Sequence, residues 1–181
     1  MNQSANMNQM VITAIGEDQP GLVDRLTQKV MDYRCNIADS RMMVLGGEFA
    51  ILLLAEGNWN NIVKLQDHLE QMSDDLNMQI SVKPTTNKTP TSTSVSYSVD
   101  VIALDHPGIV QNLASFFSKR SINIQDLSTT SYAAAHTGSP MFSVRIIIDL
   151  PAKTHIASLR EEFQGFCDEL NLDASIEPVT L

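Results

Sequence analysis

Apolar positions along the chain alternate between strand-like and helix-like spacing, which predicts a series of short elements. Residues 10–15 form a short apolar run that ends at a turn sequence, and this pattern predicts a strand. Leu22, Leu26 and Val30 then recur at helical spacing. They predict a helix that ends near Arg34.

The next residues predict a hairpin, a second helix and a closing strand. Residues 36–45 are expected to be extended, and Gly46-Gly47 is expected to form the hairpin turn because glycine tolerates the positive φ that such turns need. The returning strand presents one apolar face, made of Phe49, Ile51, Leu53 and Ala55. The apolar face of the second helix is made of Ile62, Leu65, Leu69, Met72 and Leu76. The last strand carries Met78, Ile80 and Val82.

The same order of elements then returns, because the chain contains an internal repeat. Residues 16–23 are echoed by residues 103–110, and Asn36-Ile37 is echoed by Asn123-Ile124, both at an offset of 87 residues. Phe49 aligns with Phe142 at an offset of 93, so the second hairpin should be six residues longer. A fixed period indicates two copies of one structural unit.

The element order β-α-β-β-α-β predicts an α+β protein made of two ferredoxin-like units. Each unit should be a four-stranded antiparallel sheet with both helices on one face. We expect domains at residues 8–84 and 95–179. Residues 85–94 are rich in Thr and Ser without periodicity, and they predict a linker.

Charge and cysteine content limit the partners. The formal net charge of -9 and the pI near 4.7 argue against nucleic acid and against an anionic membrane surface. The longest apolar run, residues 49–55, is too short to span a bilayer, and residues 1–9 resemble no secretion signal. Cys35 and Cys167 lie at non-equivalent places in the two copies, so we expect free thiols and a cytoplasmic location.

The repeated Asp-x-Pro-Gly turn lies between the first strand and the first helix of each copy. Asp18 is expected to be the helix N-cap, with Pro20 in the first turn of the helix. The helix N-terminus suits a carboxylate, and glycine at positions 21 and 108 leaves room for a ligand. The alternative is purely structural: aspartate caps the helix, and glycine fits a tight turn.

The repeated asparagines, Asn36 and Asn123, also allow two interpretations. Asparagine tolerates a left-handed turn at the start of a strand. Its amide could instead face the Asp-Pro-Gly loop, where a group that both donates and accepts would suit a zwitterionic amino acid.

The sequence lacks a recognisable catalytic or metal-binding motif. The four histidines lie in separate segments without metal-ligand spacing, and no phosphate-binding loop, Gly-x-Ser-x-Gly or CxxC motif is present. We therefore predict a protein that is not an enzyme and needs no metal or cofactor. His106 stays a candidate ligand-binding residue because it lies inside the second turn, where the first copy has Gln19.

The paired units with Asp-x-Pro-Gly-Leu/Ile-Val and Asn-Ile resemble ACT domains, which are sensing modules that typically bind amino acids. A pair of such units with nothing else attached is similar to the family of glycine cleavage transcriptional repressors. That resemblance implies a response to glycine and control of transcription through contact with a DNA-binding activator protein. It also implies ligand sites where the loop and first helix of one unit meet a neighbouring unit. The residues that carry over, together with His106, are Asp18, Pro20, Gly21, Leu22, Asn36, Asp105, Pro107, Gly108, Ile109 and Asn123.

Other functions stay open beside an amino-acid sensor. The chain could be an allosteric regulatory subunit of an amino-acid or one-carbon metabolic enzyme, and it could assemble with copies of itself. An RNA-binding module is disfavoured, because aromatic residues make up only 6% of an acidic chain. An acylphosphatase-like enzyme would need an arginine in the first loop, and neither turn contains one.

The charge predicts that the pure protein does not bind duplex DNA sequence-specifically, since no helix carries the clustered Arg and Lys of a recognition helix. Fluorescence anisotropy with labelled promoter fragments at physiological salt should show no saturable binding. Tight, sequence-dependent binding by the isolated chain would contradict this prediction.

Overall fold

The computed structural model describes residues 8–86 and 94–179 and divides the chain between residues 89 and 90 into two compact units. Both units have the predicted α+β fold: a four-stranded antiparallel sheet with two helices packed on one face. The predicted fold class is therefore confirmed.

The first unit follows the order β-α-β-β-α-β. Its elements are β1 (Asn8–Glu17), α1 (Leu22–Asp32), β2 (Asn36–Leu45), β3 (Glu48–Gly57), α2 (Trp59–Leu76) and β4 (Met78–Thr85). The sheet order is β2-β3-β1-β4, so β1 and β3 lie inside the sheet, while β2 and β4 form its edges.

The second unit repeats this architecture. Its elements are β5 (Ser94–Leu104), α3 (Ile109–Ser118), β6 (Asn123–Ala133), β7 (Pro140–Pro151), α4 (Ile156–Glu169) and β8 (Asp173–Pro178). The sheet order is β6-β7-β5-β8. Thr85 and Ser94, the ends of the predicted linker, are strand residues, and residues 87–93 lie outside the described residues.

Each core lies between the sheet and its two helices. In β1, Met10, Ile12 and Ala14 are fully buried, whereas Ile15 on the opposite face is 44% exposed. The helical face predicted for α1 is buried as well. In the second unit, Phe116, Phe117 and Phe163 pack with ring centroids 5.1–5.4 Å apart, in the range of favourable aromatic pairs.

The starts of α1 and α3 correct one prediction. The N-cap of α1 is Gly21 rather than Asp18, and Pro20 lies before the helix. Gly21 has φ +91 and Gly108 has φ +99, a left-handed conformation that favours glycine. The glycine carbonyls accept the first helical hydrogen bonds, from the N–H of Arg25 at 3.0 Å and of Asn112 at 2.9 Å. The chain therefore turns into the helix three residues later than the aspartate.

The two hairpins differ as expected. Gly46 and Gly47 have φ +62 and +89 and form the predicted two-residue turn between β2 and β3. In the second unit a longer loop, residues 134–139, joins β6 to β7. It is closed by a hydrogen bond of 2.9 Å from the Ala134 N–H to the Ser139 carbonyl.

Replacing Gly16 or Gly165 by alanine should change the free energy of unfolding in opposite directions. A Cβ at Gly16 would lie 2.8 Å from Met78 Cγ and 3.0 Å from the Asn77 carbonyl oxygen, so Gly16→Ala should lower the free energy of unfolding by about 1–3 kcal/mol. Gly165 in α4 has no atom within 4 Å of that position. Gly165→Ala should raise the free energy of unfolding by about 0.5–1 kcal/mol, because alanine has a higher helix propensity than glycine.

Urea unfolding followed by circular dichroism measures both effects. Equal stability of Gly16→Ala and the wild type would show that the β1–β4 contact gives way without cost.

Candidate functional site

The first Asp-Pro-Gly turn lies at the end of β1 and is held to the hairpin between β2 and β3. The Asp18 N–H donates a hydrogen bond of 3.0 Å to the Gly47 carbonyl. Residues 18–21 are all exposed. Among the described residues, no side chain donates a hydrogen bond to the Asp18 carboxylate.

The second turn has the same main-chain connection and more side-chain contacts. The Asp105 N–H donates to the Pro140 carbonyl at 2.9 Å. The Ser131 hydroxyl donates to Asp105 Oδ2 at 3.4 Å, and His106 Nδ1 lies 3.1 Å from the Pro107 carbonyl oxygen. The two turns therefore share a backbone arrangement but differ in the groups beside the aspartate.

The helix that follows each turn begins without a side-chain cap. The side chains of Leu22 and Ile109 are buried in the cores, so only their main-chain groups are available to a ligand. A Cβ at Gly21 would have no atom within 4 Å, and at Gly108 the nearest atom would be Asn112 Nδ2 at 3.8 Å. Each turn thus presents an open helix N-terminus with partial positive charge, beside an aspartate.

Of the two interpretations of Asn36, the one in which its amide faces the Asp-Pro-Gly loop does not hold within a single unit. Asn36 pairs with Glu56 at the end of β3, whereas Glu17, which precedes the turn, pairs with Glu48 at the start of β3. This separation is about 26 Å at roughly 3.3 Å per strand residue. The physical reason is that α1 carries the chain back along the sheet before β2 begins.

Asn123 is placed in the same way. It pairs with Asp149 near the end of β7, whereas the second turn follows Leu104, which pairs with Met141 near the start of that strand. Within either unit, the turn and the asparagine therefore lie at opposite ends of the sheet.

A carboxylate, which the repeated motifs do not indicate, occupies the end of the sheet where the asparagines lie. Glu56 accepts hydrogen bonds from Asn36 Nδ2 at 3.1 Å and from Gln9 Nε2 at 3.4 Å. In the second unit, Asp149 accepts from Ser96 Oγ at 2.9 Å and from Gln125 Nε2. The repeat offsets of 87 and 93 align Gln9 with Ser96 and Glu56 with Asp149, a signal that could have found this polar row.

The described cavities do not contain the predicted ligand residues. The largest of them, about 660 Å³, lies beside the end of β1 and is lined by Glu17, Glu48 and Asp74 among others. None of the predicted residues lines this cavity or the four smaller ones. Within one unit each turn is therefore an open surface, and a further surface would be needed to enclose a ligand.

The described segments, residues 8–86 and 94–179, offer no group of three or more His, Cys, Asp or Glu side chains able to hold a metal ion. Across those same residues, no helix has the length and apolar character required to cross a membrane.

Both cysteines are free and buried. Burial raises the pKa of the Cys35 thiol. Burial, with a smaller contribution from the charge of Asp168, raises the pKa of Cys167 to about 12. Since the thiolate is the nucleophilic form, neither side chain is suited to covalent catalysis at neutral pH.

Comparison with known proteins relates the whole chain to regulators. Residues 8–83 match the family model of the ACT domain. The chain is 31% identical over 175 residues to the glycine cleavage system transcriptional repressor of Escherichia coli (strain K12), a match that covers 97% of this chain and 92% of that protein. The repressor of Shigella flexneri matches with the same values.

Solved structures agree with the tandem architecture. A crystal structure of a protein provisionally described as a glycine cleavage system transcriptional repressor is 25% identical, with a TM-score of 0.73, over 98% of this chain and 100% of that chain. An unknown protein from Galdieria sulphuraria shares the fold, with a TM-score of 0.78 at 23% identity over 96% of this chain and 99% of that chain.

The buried thiols predict a pH dependence. Because the pKa of Cys167 is raised from 9.0 in a free thiol to about 12 in the fold, the unfolded chain loses this proton first. The contribution of the buried Cys167 thiol to the free energy of unfolding is therefore fully present below pH 9 and falls as the pH rises towards 12.

Urea unfolding at a series of pH values from 8 upward should show this decline. The decline should be shallower in Cys167→Ala, which lacks the titrating group. Identical pH slopes in the two proteins would contradict the prediction.

Proposed function

The chain belongs to the family of the glycine cleavage system transcriptional repressors, and we propose that it is a non-enzymatic sensor of glycine. In this proposal, the protein controls transcription of glycine cleavage genes by binding a DNA-binding activator protein. The net charge of -9 supports regulation through protein contact, because direct binding to duplex DNA depends on cationic side chains.

The observation that carries the proposal is the exposed, uncapped helix start that follows Asp-x-Pro-Gly in both units. The first-turn N–H groups and the helix dipole suit the carboxylate of an amino acid. The carboxylate of Asp18 or Asp105 suits its ammonium group. The open space at Gly21 admits a ligand to the main chain, and glycine is the amino acid that brings no side chain into it.

A second copy of the chain would complete the site. β2 is an edge strand, and Met42, Met43, Val44 and Leu45 on it are 46–66% exposed. An exposed edge strand has unpaired main-chain groups and can pair with the same strand of another molecule.

Antiparallel pairing centred near Ser40 would place Asn36 of one copy beside the hairpin tip of the other. The first turn is bonded to that tip through Asp18 and Gly47. This arrangement would join the two halves of the repeated motif, which lie about 26 Å apart within one unit.

Calorimetry with glycine tests the sensor. The wild type should bind glycine, and Asp18→Asn should weaken binding about tenfold or more, because an ammonium group loses a charged partner. Asp67→Asn is the matched control, since it removes the same charge from the exposed face of α2. Absence of glycine binding by the wild type, or equal affinity of the two variants, would contradict the proposal.

Mixing two variants tests the assembly. Asn36→Ala should weaken glycine binding by about 1–3 kcal/mol. If the asparagine acts on the turn of another copy, a mixture of Asp18→Asn and Asn36→Ala chains should regain tight sites, because each mixed pair contains one site with both native residues. A mixture that regains none would place both residues in the same copy.

Capture from a cell lysate tests the partner. The immobilised protein should retain a DNA-binding protein in a glycine-dependent manner. Glycine-dependent retention of a metabolic enzyme instead would favour the regulatory-subunit alternative.

A further inference from the structure

The outer face of the first sheet, opposite the helices, carries a group of apolar side chains. In β1 and β3 the residues that face the helices form the core, so the residues between them point away from it. Three of the outward side chains, Ile15, Met43 and Leu52, are 44–46% exposed. Val11 and Leu54 pair with each other beside them and are half-buried. These five residues are called the outer patch below.

The second unit indicates that the fold does not require apolar residues at this face. Thr13 pairs with Leu52 in the first sheet. The offsets of 87 and 93 align these residues with Asp100 and Arg145, which pair with each other in the second sheet. There, Arg145 Nε donates a hydrogen bond of 2.7 Å to Asp100 Oδ1 and forms an ion pair. The same sheet position therefore carries two charges in one unit and none in the other.

The dimensions of the outer face match those of a small protein–protein interface. Four strands about 4.8 Å apart, each about eight residues long at roughly 3.3 Å per residue, give a flat face of about 500 Å². Two such faces in contact bury about 1,000 Å² in total, which is at the lower end of specific interfaces. An apolar patch with a polar rim is typical of a surface that binds another protein.

The charges at the two margins of the face favour a second copy of the chain as the occupant. One row across the sheet runs from Lys83 on β4, through Val11 and Leu54, to Asp39 on β2. A two-fold axis parallel to the strands would place Lys83 of each copy opposite Asp39 of the other, so the face is complementary to itself.

Both margins are available for such a contact. Within residues 8–86 and 94–179, Lys83 has no ion-pair partner. Asp39 receives Arg41 on its Oδ1 at 2.7 Å, and no hydrogen bond of these residues reaches its Oδ2. The carboxylates of Glu17 and Glu48 lie beyond the patch, at the end of the strands, where both side chains are exposed to water.

We propose that the outer patch is a self-association surface, on which the first unit of a second copy packs face to face. The strands of the two sheets run in the same direction to within about 30°, as in aligned sheet packing. The contact removes Ile15, Leu52 and Leu54 of both copies from water. It uses the face of the sheet, so the main-chain edge of β2 stays free, and it does not depend on glycine binding.

Matched substitutions in the two units of the full chain test the proposal. Ile15 and Ile102 are equivalent at the offset of 87 and are 44% and 43% exposed. Ile15→Arg places an unpaired cation in the contact and should weaken self-association about 100-fold or more. Sedimentation equilibrium should then give half the molar mass of the fully associated wild type, whether the released species is a single chain or an edge-paired dimer. Ile102→Arg makes the same change in the second sheet and should leave the mass unchanged.

A double variant excludes misfolding as the cause. Thr13→Asp combined with Leu52→Arg copies the ion pair of the second unit into the first, so the fold should be preserved, as measured by circular dichroism. Its molar mass should also be halved, because two charged side chains now need water at the centre of the face.

Three results would overturn the proposal. The first is a wild type that sediments as a single 20.0 kDa chain at every concentration. The second is a wild-type mass in both the Ile15→Arg variant and the double variant. The third is a mass that is halved equally by Ile15→Arg and Ile102→Arg, because the first sheet would then not be the specific contact.

Discussion

Two helices can cover only one face of a four-stranded sheet, and this limit determines what each unit buries and exposes. Along β1, the residues facing the helices are fully buried, whereas Ile15 on the other face is 44% exposed. The edge strand β2 is uncovered over most of its length. The surfaces left for recognition are therefore the turns at the strand ends, the edge strands and the outer faces of the sheets.

The sequence predicted the elements of the fold because periodicity reflects burial. Residues at alternate positions of β3 and at helical spacing in α2 are buried as expected. It did not predict how α1 starts, because Asp18 and Gly21 are both common helix caps and only the left-handed φ of Gly21 decides between them.

The sequence also could not place Asn36, since spacing along the chain does not show to which end of the sheet a helix returns. The predicted ligand residues are therefore separated into an exposed turn and a polar row around Glu56. Because of this separation, a site that includes both the turn and Asn36 would need surfaces from more than one unit.

The two copies have kept the same backbone while their side chains have diverged. The carboxylate at the end of the sheet is retained as Glu56 and Asp149, with different donors around it. At the offset of 94 that aligns Ile62 with Ile156 and Leu65 with Leu159, Trp59 aligns with Lys153, and both are exposed. Duplicated units of this kind can share one architecture and still recognise different molecules, because the differences lie at surface positions that the core does not constrain.

The bond from each turn to its hairpin involves only main-chain atoms: Asp18 N–H to the Gly47 carbonyl, and Asp105 N–H to the Pro140 carbonyl. A bond between main-chain atoms does not depend on the identity of the side chains. It is therefore present in both units, although Pro140 stands where the first unit has Gly47 and the second hairpin is longer. In both copies this bond therefore holds the turn to the hairpin that joins the second and third strands of the unit. Side chains beside each turn can therefore change while the bond that holds the turn to its hairpin is kept.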